Sequence, residues 1–140
     1  MLLLLDTHAW LWTAEGDTRR VGRKAQRLIG QAEARGGARV SSASVFEIVA
    51  LHTAGRVVLA LPPEQWIETS LERSGLRVAE VNRQVAIDAG FIPRTALPDP
   101  LDRLLVATAR QLGAAFLTAD AAILSYAARA ANVRVHDLSR

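Results

Sequence analysis

The chain contains no cysteine. That absence excludes a disulfide framework, a thiol nucleophile and a zinc–thiolate site, and it fits a reducing compartment. No apolar stretch is long enough to span a bilayer. The leading apolar run, residues 2–5, stops at Asp6. It is too short for the apolar region of a signal peptide, and no basic segment precedes it. The expectation is a soluble, cytoplasmic protein without membrane attachment. A P-loop and a Gly-x-Gly-x-x-Gly fingerprint are both missing, which weighs against a nucleotide-cofactor enzyme. Ser41, Ser42 and Ser44 lack the Gly-x-Ser-x-Gly setting of a nucleophile elbow. His8, His52 and His136 lack His-Glu-x-x-His spacing. Lysine occurs once, at Lys24. A response-regulator-like or phosphatase-like domain would need one late in the chain. There are no repeats, low-complexity segments or linkers.

What remains is 140 residues, half of them hydrophobic, enough for a single domain over 1–140 with its own core. The formal net charge is +3. Arg19, Arg20, Arg23, Lys24 and Arg27 fall in one segment, followed by Arg35 and Arg39. Such a cluster is either a solvated helix face or a contact for a polyanion.

Residues 2–5 read as a strand buried on both faces, and 7–14 as a short helix. Residues 21–35 carry Ala25, Leu28, Ile29 and Ala32 at helical spacing and stop at Gly36-Gly37. Residues 38–41 form a second strand. Ser42 or Ser44 caps the next helix, which places Val45, Ile48, Val49 and His52 on one face. Pro62-Pro63 opens a helix to Ser74, residues 76–81 form a strand, and Asn82 caps a helix through Ala89. Asp99-Pro100 is an N-cap followed by proline at the first helical position; that helix runs to Leu112 and ends at Gly113. A strand at 115–118, a helix from Asp120 through Ala130 ending at Asn132, and a strand at 133–135 complete the chain. Strands alternating with helices predict an α/β fold in three layers, with a parallel sheet of four or five strands flanked by helices.

Four carboxylates stand out against this pattern. Asp6 and Asp120 follow strands, while Glu47 and Asp102 lie on helices among apolar residues. Ligands of open α/β sheets sit outside the carboxyl ends of the strands. A carboxylate in apolar surroundings costs several kcal/mol unless it is paired or holds a cation. Four that converge suit an oxygen-loving ion such as Mg²⁺ or Mn²⁺. Each acid also has an ordinary reading. Asp6 and Asp120 can cap helices, Asp102 can pair with Arg103 or Arg110, and Glu47 can lie on an exposed flank. Asp99 reads as a structural cap beside the site. Thr7 and Thr118 neighbour strand-end acids and can orient a carboxylate through a hydroxyl. Trp10 and Trp12, two residues apart on one helix, cannot share one core face.

Four segments together resemble the PIN-domain family, and within it VapC-like toxins of type II toxin–antitoxin pairs. They are Leu-Leu-Asp-Thr-His-Ala-Trp-Leu-Trp at 4–12, Val-Ser-Ser-Ala-Ser-Val-Phe-Glu-Ile at 40–48, Asp-Pro-Leu-Asp-Arg-Leu-Leu-Val-Ala at 99–107, and Leu-Thr-Ala-Asp at 117–120. The resemblance implies a PIN-like fold and Mg²⁺- or Mn²⁺-dependent cleavage of RNA. Asp6, Glu47, Asp102 and Asp120 would be the acidic quartet, with Thr7, Thr118 and Arg103 in support. It further implies a VapB-like antitoxin as partner and a homodimer. This chain departs from many relatives at Leu51, where they carry lysine, and at Leu97-Pro98, where they carry His-Arg; substrate identity stays open. The competing reading is a PIN-like module that binds RNA or protein without catalysis.

Overall fold

The computed structural model describes residues 1–130 and 132–140. Among the described residues, five parallel strands and seven helices alternate. They are β1 (Leu3–Leu5), α1 (Thr7–Ala14), α2 (Arg23–Ala34), β2 (Ala38–Ser41), α3 (Ser42–Thr53), α4 (Pro63–Ser74), β3 (Arg77–Ala79), α5 (Arg83–Phe91), α6 (Pro100–Leu112), β4 (Ala115–Thr118), α7 (Ala121–Ala130) and β5 (Val135–Asp137). The sheet order is β3-β2-β1-β4-β5. Leu5 of β1 is in register with Val40 of β2 on one side and Leu117 of β4 on the other.

The all-leucine β1 is central because it can bury both faces. Leu3 and Leu5 join a core with Trp10, Ile29, Val40 and Trp66 from α1, α2, β2 and α4. Leu4 points the other way, into a core with Leu105, Val106, Phe116 and Ile123 from α6, β4 and α7. The two cores are the two faces of one sheet, as the period of two along a strand requires. Arg110 of α6 fastens the second layer. Its Nε and Nη2 donate to both oxygens of Asp88 on α5, and its Nη1 donates to the Tyr126 hydroxyl on α7.

Several local expectations are corrected. α2 starts at Arg23, leaving Val21 as a core residue ahead of it. The α3 cap is Ser41, whose hydroxyl accepts from the Ala43 N–H at 3.0 Å; neither Ser42 nor Ser44 fills that role. Starting α3 there turns Ser44 and Ile48 inward and leaves Val49 and His52 exposed, contrary to the expected apolar face. The last strand is Val135–Asp137 rather than 133–135, set by pairing of Phe116, Leu117 and Thr118 with Val135, His136 and Asp137. Residue 131, between the end of α7 and the expected stop at Asn132, lies outside the described residues.

β5 also positions α2. The Gly22 N–H donates to the Leu138 carbonyl and the Lys24 N–H to the Arg140 carbonyl, both at 2.9 Å. The amino end of α2 is thereby held beside the carboxyl end of β5. A Cβ at Gly22 would meet the Arg140 backbone at 2.2 Å. Gly22→Ala is expected to cost about 1 kcal/mol, the low end for overpacking, because the exposed Ser139 and Arg140 can shift. Urea unfolding measures the cost, and an unchanged midpoint would mean that the contact constrains nothing.

Candidate active site at the carboxyl ends of β1 and β4

The strand order reverses direction at β1, since β2 lies on one side of it and β4 on the other. In open α/β sheets that switch point leaves a crevice outside the strand ends. Asp6 is the residue that follows β1, and its N–H donates to the Leu117 carbonyl of β4. Its side chain caps α1: Oδ1 accepts from the Thr7 N–H at 2.7 Å. Oδ2 accepts from the Thr118 hydroxyl at 2.6 Å, a bond across 112 residues of sequence. The Thr118 hydroxyl in turn accepts from the Asp120 N–H at 3.0 Å. One threonine thus couples the ends of β1 and β4. Asp120 also takes its ordinary role, accepting from the Ile123 N–H at 3.0 Å through Oδ1 at the head of α7.

Thr7 is fully buried and donates through its hydroxyl to Ser44 Oγ on α3 at 2.8 Å. Ser44 is the site-supporting residue that sequence reasoning passed over. Three serines crowd the start of α3, and local spacing cannot rank them. Its bond to Thr7 fixes the rotation of α3 and carries Glu47, one turn on, toward the same crevice.

Asp102 lies in the first turn of α6, half-buried. The ion pairs expected of it do not form: Arg110 is engaged by Asp88, and the Arg103 guanidinium reaches the Pro98 carbonyl at 3.4 Å. Arg103 Nε is buried without a hydrogen-bond partner. Asp99 is the exposed N-cap of α6, its Oδ1 accepting from the Leu101 N–H at 2.9 Å. It takes the structural role expected.

Asp102 lies within charge range of the other acids. Burial, then the charges of Asp120, Asp99, Asp6 and Glu47, push the Asp102 carboxyl up to about 8. Asp6 is also raised, by burial first and by Glu47 further down, against the lowering bonds from Thr118 and Thr7. Like charges near one another disfavour ionisation of each, and perturbed carboxyls in a crevice are a mark of functional sites. The donor set is all oxygen, which fits a hard divalent cation. As placed, no three His, Asp or Glu side chains among the described residues are gathered closely enough to hold one. The donors have the right chemistry and share one field; binding an ion requires their side chains to draw in.

Of the histidines, His8 alone is near, half-buried and within charge range of Asp6. Its ring lies 5.4 Å from that of Trp12. The two tryptophans part as their spacing requires. Trp10 is buried against Trp66, with its Nε1–H donated to Ser70 Oγ at 2.8 Å, whereas Trp12 is half-buried. Among the described residues, no helix is long and apolar enough to cross a membrane.

Comparison with known proteins bears on the fold and the family. A ribonuclease of Mycobacterium tuberculosis, VapC22, is 32% identical over 125 residues, spanning 89% of this chain and 91% of its own length. A DNA-bound VapBC structure from Salmonella typhimurium superposes with a TM-score of 0.67 at 22% identity, covering 99% of both chains. VapBC2 from Rickettsia felis, bound to promoter DNA, superposes with a TM-score of 0.69 at 14% identity, covering 98% of both. At those identities the two structures speak for the fold. The sequence pattern of the PIN domain matches residues 3–129, nearly the whole sheet with the crevice at its centre, and on that match together with the VapC22 likeness this chain belongs to the PIN domain family.

Proposed function

We propose that this protein is a cytoplasmic, Mg²⁺- or Mn²⁺-dependent endoribonuclease, one PIN domain over residues 1–140, acting as the toxin of a toxin–antitoxin pair. The observation that carries the reading is that Thr118 bridges Asp6 and Asp120 at the ends of β1 and β4, with Asp102 within their charge range and pushed up to about 8 by burial and like charge. The likeness to the ribonuclease VapC22 supports it. In this reading the four acids hold the cation. When bound, such a cation supplies Lewis acidity toward phosphoryl oxygens and makes hydroxide available near neutral pH. Thr118 keeps Asp6 oriented, and the Thr7–Ser44 bond keeps α1 and α3 in place. Asp102 or Glu47 would take the proton of the attacking water as its oxygen bonds to phosphorus, while the ribose oxygen opposite leaves in line and takes a proton from solvent. Arg103 and the basic segment at 19–27 hold the RNA backbone, so binding weakens with salt. Purified protein is expected to cut RNA with Mg²⁺ or Mn²⁺ and to stop in excess EDTA. Cleavage that continues in EDTA would sink the metal-dependent reading. RNA binding without cleavage under any condition would favour the non-catalytic module.

Two surfaces support the partners. A groove of about 560 Å³ runs between α1, α4 and the loop before α4, with Trp66, Val58 and Leu61 as apolar walls and Glu15, Glu33 and Arg73 as polar ends. A VapB-like helix with an apolar face and a basic side chain fits such a groove; the Salmonella and Rickettsia relatives were solved as VapBC assemblies. Phe46 and Val49 on α3 and Ile87 and Phe91 on α5 are exposed, and they suit the homodimer.

A further inference from the structure

Two aromatic side chains beside the crevice have no task in the chemistry above. His8 and Trp12 stand one turn apart on α1, with ring centroids 5.4 Å apart and planes tilted by 52°. The Arg20 guanidinium lies over the Trp12 ring, 5.0 Å from its centroid, and is itself mostly exposed. Both residues are half-buried: Trp12 packs in part against the first core, and each keeps some exposure. The column starts within charge range of Asp6, at the His8 end, and leads to the loop before α2.

That loop is cationic. Arg19 and Arg20 in the loop are followed by Arg23, Lys24 and Arg27 at the start of α2, against Glu15 and Asp17; Asp17 Oδ2 lies 3.6 Å from Arg20 Nε. The hydrogen bonds of Gly22 and Lys24 to the end of the chain hold this cluster at the carboxyl end of β5, the same edge of the sheet as Asp6 and Thr118. The positive field there is felt by His136, which burial and then the charges of Lys24 and Arg134 hold below its ordinary value. An aromatic column leading from an acidic crevice into a basic rim matches single-stranded nucleic acid, whose bases offer π-faces and whose phosphates offer charge. An acidic protein segment would satisfy the arginines but would leave the rings without a flat partner.

We propose that His8 and Trp12, with Arg20 laid over the indole, form a stacking platform for one unpaired base beside the cleaved phosphodiester, while Arg19, Arg23 and Lys24 meet the flanking phosphates. The proposal rests on the ribonuclease reading and adds to it the residues that position the strand. Stacking does not depend on base identity, so other contacts set the register of the strand and the platform adds affinity at the base they place there.

The test uses the parent protein in EDTA and a set of labelled single-stranded RNA 12-mers, each with an abasic nucleotide at a different position, read by fluorescence anisotropy. One position is expected to weaken binding about tenfold, within the range that stacking supplies per base. Trp12→Leu is expected to weaken the intact 12-mer similarly and to lose that positional sensitivity, whereas Trp12→Phe restores both. His8→Ala, in the first turn of α1, serves as the second variant if Trp12→Leu melts early by circular dichroism. Uniform affinity across the abasic set, or Trp12→Leu binding RNA as the parent does while losing its protein partner, overturns the platform. Cleavage by the parent with Mg²⁺ is scored separately. An active enzyme with a flat abasic profile removes only the platform; a protein that neither binds nor cuts RNA removes both readings.

Discussion

Asp6→Asn is expected to lower the RNA cleavage rate at least about 100-fold while leaving RNA affinity in EDTA unchanged or higher. The magnitude is that of removing one preorganised charge or a proton acceptor from a site that stabilises a transition state. Asp6 is the strongest choice because the fold fixes both its oxygens, through the Thr7 N–H on one and the Thr118 hydroxyl on the other, and leaves each with a lone pair for the cation. Asparagine keeps an oxygen for Thr7 and turns its amide toward Thr118, whose hydroxyl can accept. The chain therefore folds, and a buried like charge is removed. Any loss of rate then belongs to the chemistry. Glu47→Gln, Asp102→Asn and Asp120→Asn should fall in the same range, and pairs of them should lose little more than singles, because groups that act as a unit are not additive. Single-turnover cleavage with Mg²⁺ measures this. A parent-like rate from any purified, folded variant would remove that acid from the quartet.

Asp102→Asn is expected to make the protein more stable in EDTA even as it abolishes cleavage. The physical basis is the unpaired, half-buried carboxyl among Asp120, Asp99, Asp6 and Glu47. Its folded value is about 8, against an ordinary value of 3.8. Below 3.8 both folded and unfolded chains hold the proton. Between 3.8 and about 8 the unfolded chain releases it and the folded chain keeps it, so the parent loses stability as pH rises. Asparagine does not titrate and escapes that loss. Solvent reaches the site and screens the charges, so the gain at neutral pH is about 2 kcal/mol rather than the full shift, or a Tm rise of about 5 °C. The difference between parent and variant should shrink toward pH 4. Added Mg²⁺ should raise the Tm of the parent and leave the variant unmoved, since only a ligand of the folded state stabilises it. Thermal melts across pH, with and without Mg²⁺, decide it. A variant less stable than the parent in EDTA at neutral pH would mean that Asp102 has a partner and is not crowded.

Much of the architecture was legible because its signals are local. β1 announces itself as an unbroken leucine run, and Asp99-Pro100 and Gly113 bracket α6 by cap chemistry that needs no distant partner. The errors fall where local signals tie. Three serines compete for one cap, and Ser41 takes it because β2 ends there, which turns Val49 and His52 out to solvent. The register of β5 depends on what β4 offers it. The competition over Asp102 was also beyond local reading, since Arg110 is taken by Asp88 on another helix.

The sequence by itself determined the alternating α/β order, the absence of cysteine chemistry, and the positions of the four acids after strands and on helices. These follow from hydrophobic period, capping and composition, all of which act within a few residues. Only the tertiary structure decided that β1 lies between β2 and β4, that Thr118 bonds Asp6 across 112 residues, and that Ser44 anchors Thr7. It also decided that the Arg20 guanidinium lies over the Trp12 ring. Such contacts are chosen by burying two faces of one sheet at once, and no short-range pattern in a chain encodes which distant partner that burial selects.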